Sequence, residues 1–279
     1  KETVVSITKD DVISKFQKNL GYKNASIFVV GDITENELKP ILENSLENWK
    51  AGEKTNKNAV IKSDINLSKI YFIDMPGSSQ SVIRAAQLFS PENDIAKKLS
   101  KDMMNTLLGG SFLSRLNMNL REDKHWSYGA GSRFSNTKQQ SQYTVYTSVQ
   151  TDKTKESLIE ILKELTNINS KKLISKTEFT QQQNATLMEL PGEFESNSDL
   201  SSSLEDVIFY NKGLNYLNNI SNTIQKLSLT DIQTAAQKHI NPKNLTWLII
   251  GDKKKVLQGI KDLKWSEVIE LDKNGDVVK

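Results

Sequence analysis

Cysteine is absent from the 279 residues, and histidine occurs only twice, at His125 and His239. The sequence therefore offers no disulfide staple and too few imidazoles and thiolates to assemble a tetrahedral zinc site of its own. An H-x-x-E-H helix, which would put two imidazoles one turn apart around a general base, is missing as well. Long apolar runs are lacking too: Trp247-Leu248-Ile249-Ile250 is typical of the longest, far short of the roughly 20 residues that cross a bilayer, so no membrane span is expected. No sign of charge predominates. With 37 basic against 34 acidic residues and Lys253-Lys254-Lys255 as the one lysine triple, there is no stripe to follow a phosphate backbone, and nucleic-acid binding is not expected. The missing cysteine fits an extracytoplasmic protein and a cytosolic one about equally.

What remains is an ordinary folding sequence, 37% hydrophobic and 25% charged. Its start, Lys1-Glu2-Thr3-Val4, is neither an initiator methionine nor a secretion signal, which predicts a chain beginning after processing or within something longer. An internal echo favours the second. Lys18 to Asp32 (KNLGYKNASIFVVGD) matches Lys238 to Asp252 (KHINPKNLTWLIIGD) at a constant offset of 220 positions, and the same offset superposes Asp11-Val12 on Asp231-Ile232. A period this long indicates tandem domains rather than a solenoid. Residues 1–55 are thus expected to be the tail of a preceding homologous domain, 56–67 a polar linker, and 68–279 one complete domain.

In the tail, Thr8 caps a helix, Ala25 to Val30 reads as a buried strand, and Thr34 with Glu37 forms a capping box. The helix it opens carries Leu38, Ile41, Leu42, Leu46 and Trp49 at helical spacing. In the main domain, Ile70 to Ile73 and Gln80 to Leu88 read as strands joined hairpin-fashion through Asp74-Met75-Pro76-Gly77. A helix from about Asn93 should stop at Gly109-Gly110 in left-handed or close-approach geometry, and an amphipathic helix ending in Arg121 follows. Trp126 to Ser135 and Gln142 to Gln150 read as strands, the second alternating Tyr143, Val145, Thr147 and Val149. From there helices dominate, with a capping box at Ser175 and Glu178. The pattern predicts an α+β fold, a mainly antiparallel sheet with helices packed on one face.

Two residues are candidates for chemistry. Arg121 supplies a guanidinium at a helix end and Tyr128 a phenol on the next strand, so a short loop could bring both donors to one point. Taken from the residues alone, the pattern favours an Arg121 paired with a surface carboxylate and a Tyr128 that, in phase with Trp126, Ala130 and Phe134, is core. Gly109-Gly110 lacks the rest of a phosphate-binding loop and reads as a turn. Ser111 and Ser114 have no G-x-S-x-G setting and read as turn and cap groups, and His125 as a solvent-facing loop residue.

Leu108-Gly109-Gly110, Ser114-Arg115-Leu116, Leu120-Arg121-Glu122 and a tyrosine seven positions after the arginine resemble the non-zinc, C-terminal portion of insulinase/pitrilysin-type zinc metallopeptidases. Asp74-Met75-Pro76-Gly77 with Gln80-Ser81, and Leu190 to Ser196, extend the likeness to bacterial members and to most of the chain. His125 departs from the small or glycine-rich loop usual before that tyrosine. The resemblance implies a domain like those of mitochondrial processing peptidase, forming the non-zinc half of a clam-shell chamber around a peptide substrate. It implies that Arg121 and Tyr128 reach the scissile region, bind substrate and stabilise the tetrahedral intermediate. Zinc would sit on a partner, an N-terminal half or separate subunit carrying H-x-x-E-H, and this chain alone would be inactive. The alternative is a catalytically silent peptide-binding or scaffold subunit of the same family. The expected location is the periplasm or cell envelope rather than the cytoplasm.

Overall fold

Strict alternation in Tyr143-Thr144-Val145-Tyr146-Thr147-Ser148-Val149 sends every second side chain inward, and these residues build β4 (Ser141–Gln150), whose buried face carries Tyr143, Val145 and Val149. This is a computed structural model, described over residues 2–53, 68–92, 94–137, 140–210, 212–213 and 215–278. Around β4 stand β1 (Ile70–Asp74), β2 (Gln80–Phe89), β3 (Ser127–Asn136), β5 (Thr246–Gly251) and β6 (Val268–Leu271) in the order β3-β4-β2-β5-β1-β6. The β3–β4, β4–β2 and β2–β5 pairs run antiparallel, and β5–β1 and β1–β6 parallel.

The chain divides into two compact units, residues 1–59 with 191–214 and residues 60–190 with 215–279. In the first lie α1 (Glu2–Val5), α2 (Lys9–Asn19) and α3 (Glu35–Leu46). The second adds α4 (Ile95–Asn105), the short α5 (Arg115–Asn117), α6 (Thr154–Asn167) and α7 (Lys176–Glu189). After α8 (Asn197–Phe209), in the first unit, come α9 (Tyr216–Lys226), α10 (Leu229–His239) and α11 (Lys253–Lys261) of the second. Met104 of α4, Ile161 of α6, Ile232 of α10 and Ile260 of α11 share one core with Phe72, Ile83, Val145 and Ile249 of the sheet. The opposite side of β4 stays solvent-facing, with Tyr146 held between the guanidiniums of Arg84 and Arg133 at 5.4 and 5.8 Å from its ring. The α+β architecture with helices on one face is therefore as the sequence patterning predicts.

One pairing is not. β1 and β2 form no hairpin, because β5 lies between them. Trp247 to Ile250 is apolar without alternation, and it fills the centre of the sheet. The Asp74–Gly77 connection is tied to the end of that strand instead: Met75 N–H donates to the Gly251 carbonyl (2.8 Å), and Gly77 N–H to Asp252 Oδ2 (3.1 Å).

The 220-residue echo is structural. Thr8 with Asp11 and Ser228 with Asp231 form equivalent capping boxes, and the turns Tyr22–Asn24 and Pro242–Asn244 are both 3-10. The strand is not repeated. Residues 25–30 join no ladder, and Ile27 and Val29 are about half exposed, whereas Trp247 and Ile249 at the corresponding positions are buried. The expected buried strand fails because no neighbouring strand among the described residues supplies its hydrogen bonds. Leu38, Leu42, Leu46 and Trp49 are partly buried and Ile41 is exposed. The expected linker, 56–67, lies outside the described residues.

Candidate functional site

Helix α4 passes into a π-helical turn over Thr106–Gly110, where Gly109 meets β3. A Cβ at Gly109 would collide with the Ser132 hydroxyl and stand 2.6 Å from the Ser132 nitrogen. Close approach, not left-handed geometry, explains this glycine, since neither Gly109 nor Gly110 has a positive φ. The loop that follows presents Phe112 and Leu113 to solvent, 57% and 77% exposed. Ser114 then stands at the start of α5, but its buried hydroxyl caps nothing and has no partner among the described residues, contrary to the capping role read from sequence.

Arg121 lies within a second π-helical turn, Met118–Asp123, rather than at the end of an α-helix. Such wide turns recur at functional sites. Leu116 and Leu120 anchor this segment in the core. The Arg121 guanidinium stacks on Phe112, 4.5 Å from the ring centre, and Nε reaches Glu122 at 3.2 Å. It remains 40% exposed, so the pair is a solvated one of small energetic consequence. His125 is exposed, as expected, and turns the chain into β3 with φ 56°. That left-handed geometry is the physical reason a glycine-rich loop suits this place. Here the ring Nδ1 interacts with the Arg121 carbonyl at 3.1 Å.

Tyr128 is not core. The β3–β4 register jumps from Ser127 opposite Val149 to Ala130 opposite Thr147, so Tyr128 and Gly129 together face Ser148 in a bulge. A bulge breaks the period-2 phase and leaves Tyr128 89% exposed while Ala130 points inward. The distortion is held firmly. Thr147 Oγ1 donates to the Gly129 carbonyl (2.9 Å), and Ala130 N–H donates to Asn117 Oδ1 (3.1 Å). Asn117, 5% exposed, also donates from Nδ2 to the Phe112 carbonyl at 2.7 Å. One buried amide thus ties the Phe112 loop to the Tyr128 bulge. Sequence reading missed it, because an asparagine after Ser-Arg-Leu carries no signal without the fold.

Arg115 was likewise taken only as part of a motif. It is 7% exposed and clips α5 to the start of α7, with Nη2 2.8 Å and Nε 3.2 Å from Glu178 Oε1. Its Nη1 donates to the Lys172 carbonyl at 2.5 Å and Nη2 to the Leu173 carbonyl at 3.3 Å. Burial alone would raise the Glu178 carboxyl, but hydrogen bonds from Ser175 and Arg115 bring it below its ordinary value.

The zinc donor set does not fit this chain. No group of three His, Cys, Asp or Glu capable of holding a metal exists among the described residues. His125 is on the exposed loop, while His239, 4% exposed, packs edge-on to Phe89 and Phe134. Burial first, then Lys101 and Lys238, lower the His239 pKa to about 4, with Glu92 opposing. Below pH 6.5 the unfolded chain takes up a proton that the folded chain refuses until about pH 4. The contribution is complete above pH 6.5 and lost as pH falls toward 4. Between pH 7.5 and 5 this histidine should cost about 2 kcal/mol of stability. Urea unfolding at the two pH values checks this, and His239→Gln should flatten the difference; an unchanged slope would contradict it.

The model of the peptidase M16 inactive domain matches residues 6–186. The chain belongs to this family. It is 25% identical over 258 residues to the non-peptidase homolog YmxG of Helicobacter pylori, across 91% of this chain and 58% of that protein. The crystal structure of a peptidase M16 inactive domain from Pseudomonas fluorescens superposes with a TM-score of 0.80 at 22% identity, over 90% of this chain and 59% of that one. A protease from Helicobacter pylori gives 0.78 at 17%, over 90% and 60%. The periplasmic protease PqqL from Escherichia coli gives 0.67 at 14%, over 80% of this chain and 25% of that one. This chain therefore spans somewhat more than half of the curated relative. These likenesses establish the inactive-domain fold of the M16 family, the non-zinc portion that the sequence motifs resemble.

Proposed function

We propose that this chain is the non-catalytic half of an M16-type metallopeptidase, holding a peptide substrate for a zinc-bearing half that carries H-x-x-E-H. The observation that carries the reading is the Tyr128 bulge. A strand is distorted, and secured through Ser127, Thr147 and Asn117, leaving a phenol 89% exposed, and the same Asn117 holds the Phe112 loop against which the half-exposed Arg121 stacks. A purely structural tyrosine needs no such scaffolding. Arg121 and Tyr128 are proposed to bind the peptide and donate to the carbonyl oxygen as negative charge develops there. Exposed Phe112 and Leu113 offer apolar contact next to them.

Residues 1–55 are proposed as the closing unit of a homologous preceding domain, 56–67 as linker and 68–279 as the complete domain. The repeated caps and turns support this, as do exposed Val12 and Phe16 of α2 and Leu20 at its end, whose counterparts Ile232 and Ala236 of α10 and Ile240 at its end are buried. Among the described residues no helix is long and apolar enough to cross a membrane. A periplasmic or envelope location is proposed, PqqL being a periplasmic protease.

The name of the Helicobacter relative favours a second reading, a scaffold that holds peptide without cleavage. One assay separates the two: mix the chain with the H-x-x-E-H half and follow a quenched fluorescent peptide. Turnover that requires both components supports the first reading; peptide retained intact by the complex supports the second. The chain alone should retain less than about 0.1 zinc per molecule after dialysis. Stoichiometric zinc on elemental analysis would contradict the assignment of the metal to the other half.

A further inference from the structure

Away from the Tyr128 bulge, α4, the end of α9 and α10 line a half-open cavity of about 560 Å³, within the usual range for small-molecule sites. Small side chains make the space, with Ala96 and Ser100 of α4 and Thr234 and Ala235 of α10 lining it. Its surface is chiefly apolar, and three lysines border it, Lys97, Lys226 and Lys238. The carboxylates nearby are already engaged. Asp94 accepts from Lys97 N–H (3.0 Å), Asp231 from Ser228 N–H and Oγ, and Glu92 binds Lys238 at 2.6 Å. Among the described residues the ammonium groups of Lys97 and Lys226 form no close ion pair, Lys97 acting on Glu92 only through the longer-range field. His239 also lines the cavity, and although it is 96% buried, its Nδ1 has no hydrogen-bond partner among those residues. The ring packs edge-on to Phe89 and Phe134, and a buried nitrogen left unsatisfied costs stability.

We propose that this cavity binds a small amphipathic carboxylate, its tail against Ala96, Leu227 and Ala235 and its head paired with Lys97 and Lys226, with His239 supplying a polar contact from the floor. The balance of chemistry favours this class. An ordinary apolar ligand leaves the imidazole and both lysines unused, and a polyanion finds too little polar surface. The inference is independent of any peptidase role.

The experiment is a titration of the full chain with octanoate, followed by amide NMR shifts, with 1-octanol as a neutral probe of equal tail length. Octanoate should saturate, with shifts concentrated on Thr223, Leu227, Thr234 and Ala235, and bind about tenfold more tightly than octanol. The Lys97→Gln/Lys226→Gln pair, both surface positions, should remove that preference while leaving octanol unchanged. Ala235→Leu should block both ligands. Should that variant fail to fold, the lysine pair still decides. Octanol binding as well as octanoate, wild-type affinity in the lysine variant, shifts confined to residues 2–53, or no saturation at all would each overturn the proposal.

Discussion

Tyr128→Phe and Arg121→Ala should each reduce peptide hydrolysis by about 10² to 10³-fold when the chain is combined with its zinc-bearing half, the usual cost of removing one donor from a developing oxyanion. The loss is expected in kcat for Tyr128→Phe. The ring stays, only the hydroxyl goes, and a side chain 89% exposed contributes nothing to the core, so thermal stability should not move. Arg121→Ala differs. It removes the stack on Phe112 at 4.5 Å and frees that ring, so KM should rise as well. Arg121→Lys retains charge but not the planar fork, and should recover binding better than turnover. Wild-type turnover in both Tyr128→Phe and Arg121→Ala would end the proposed role of the pair. In the scaffold reading there is no hydrolysis to lose, and the same variants would act on peptide affinity alone.

How far sequence carries can be judged from particular residues. The β4 strand was legible because one face is buried and the other wet, which writes itself as alternation. β5 announced itself as a run of four apolar residues but not its place between β1 and β2, since insertion of a distant strand leaves no local mark and a Pro-Gly turn imitates a hairpin. Tyr128 was misplaced by its phase: periodicity assumes an unbroken ladder, and the bulge that reverses its direction depends on Asn117 and Thr147, which are distant in sequence. His125 became intelligible only through its φ of 56°. The motif that resembles the peptidase family pointed to Arg121 and its neighbours, yet said nothing of why Ser114-Arg115-Leu116 belongs to it.

The answer for Arg115 carries the largest expected effect on stability. Arg115→Met, close in length but uncharged, should destabilise the chain by about 3 kcal/mol, the cost of losing several charged hydrogen bonds from a buried guanidinium to part-exposed partners. For a unit of this size that corresponds to a fall in Tm on the order of 10 °C. The reasoning rests on what loses its donor. The Lys172 and Leu173 carbonyls and Glu178 Oε1 all accept from this one guanidinium, and methionine offers none of them a hydrogen. Glu178 keeps its hydrogen bonds from Ser175, so Glu178→Gln should cost less than Arg115→Met. The double variant should fall short of the sum of the singles, a coupling of about 1 to 3 kcal/mol. The effect should also reach the site. Arg115 begins the short helix whose last residue, Asn117, holds both the Phe112 carbonyl and the Ala130 amide. Loosening α5 should therefore broaden or shift the Tyr128 resonances at temperatures where the fold is intact. Arg115→Met within 1 kcal/mol of wild type by urea unfolding, with Tyr128 unshifted, would mean that the Ser-Arg-Leu motif serves something other than this clip.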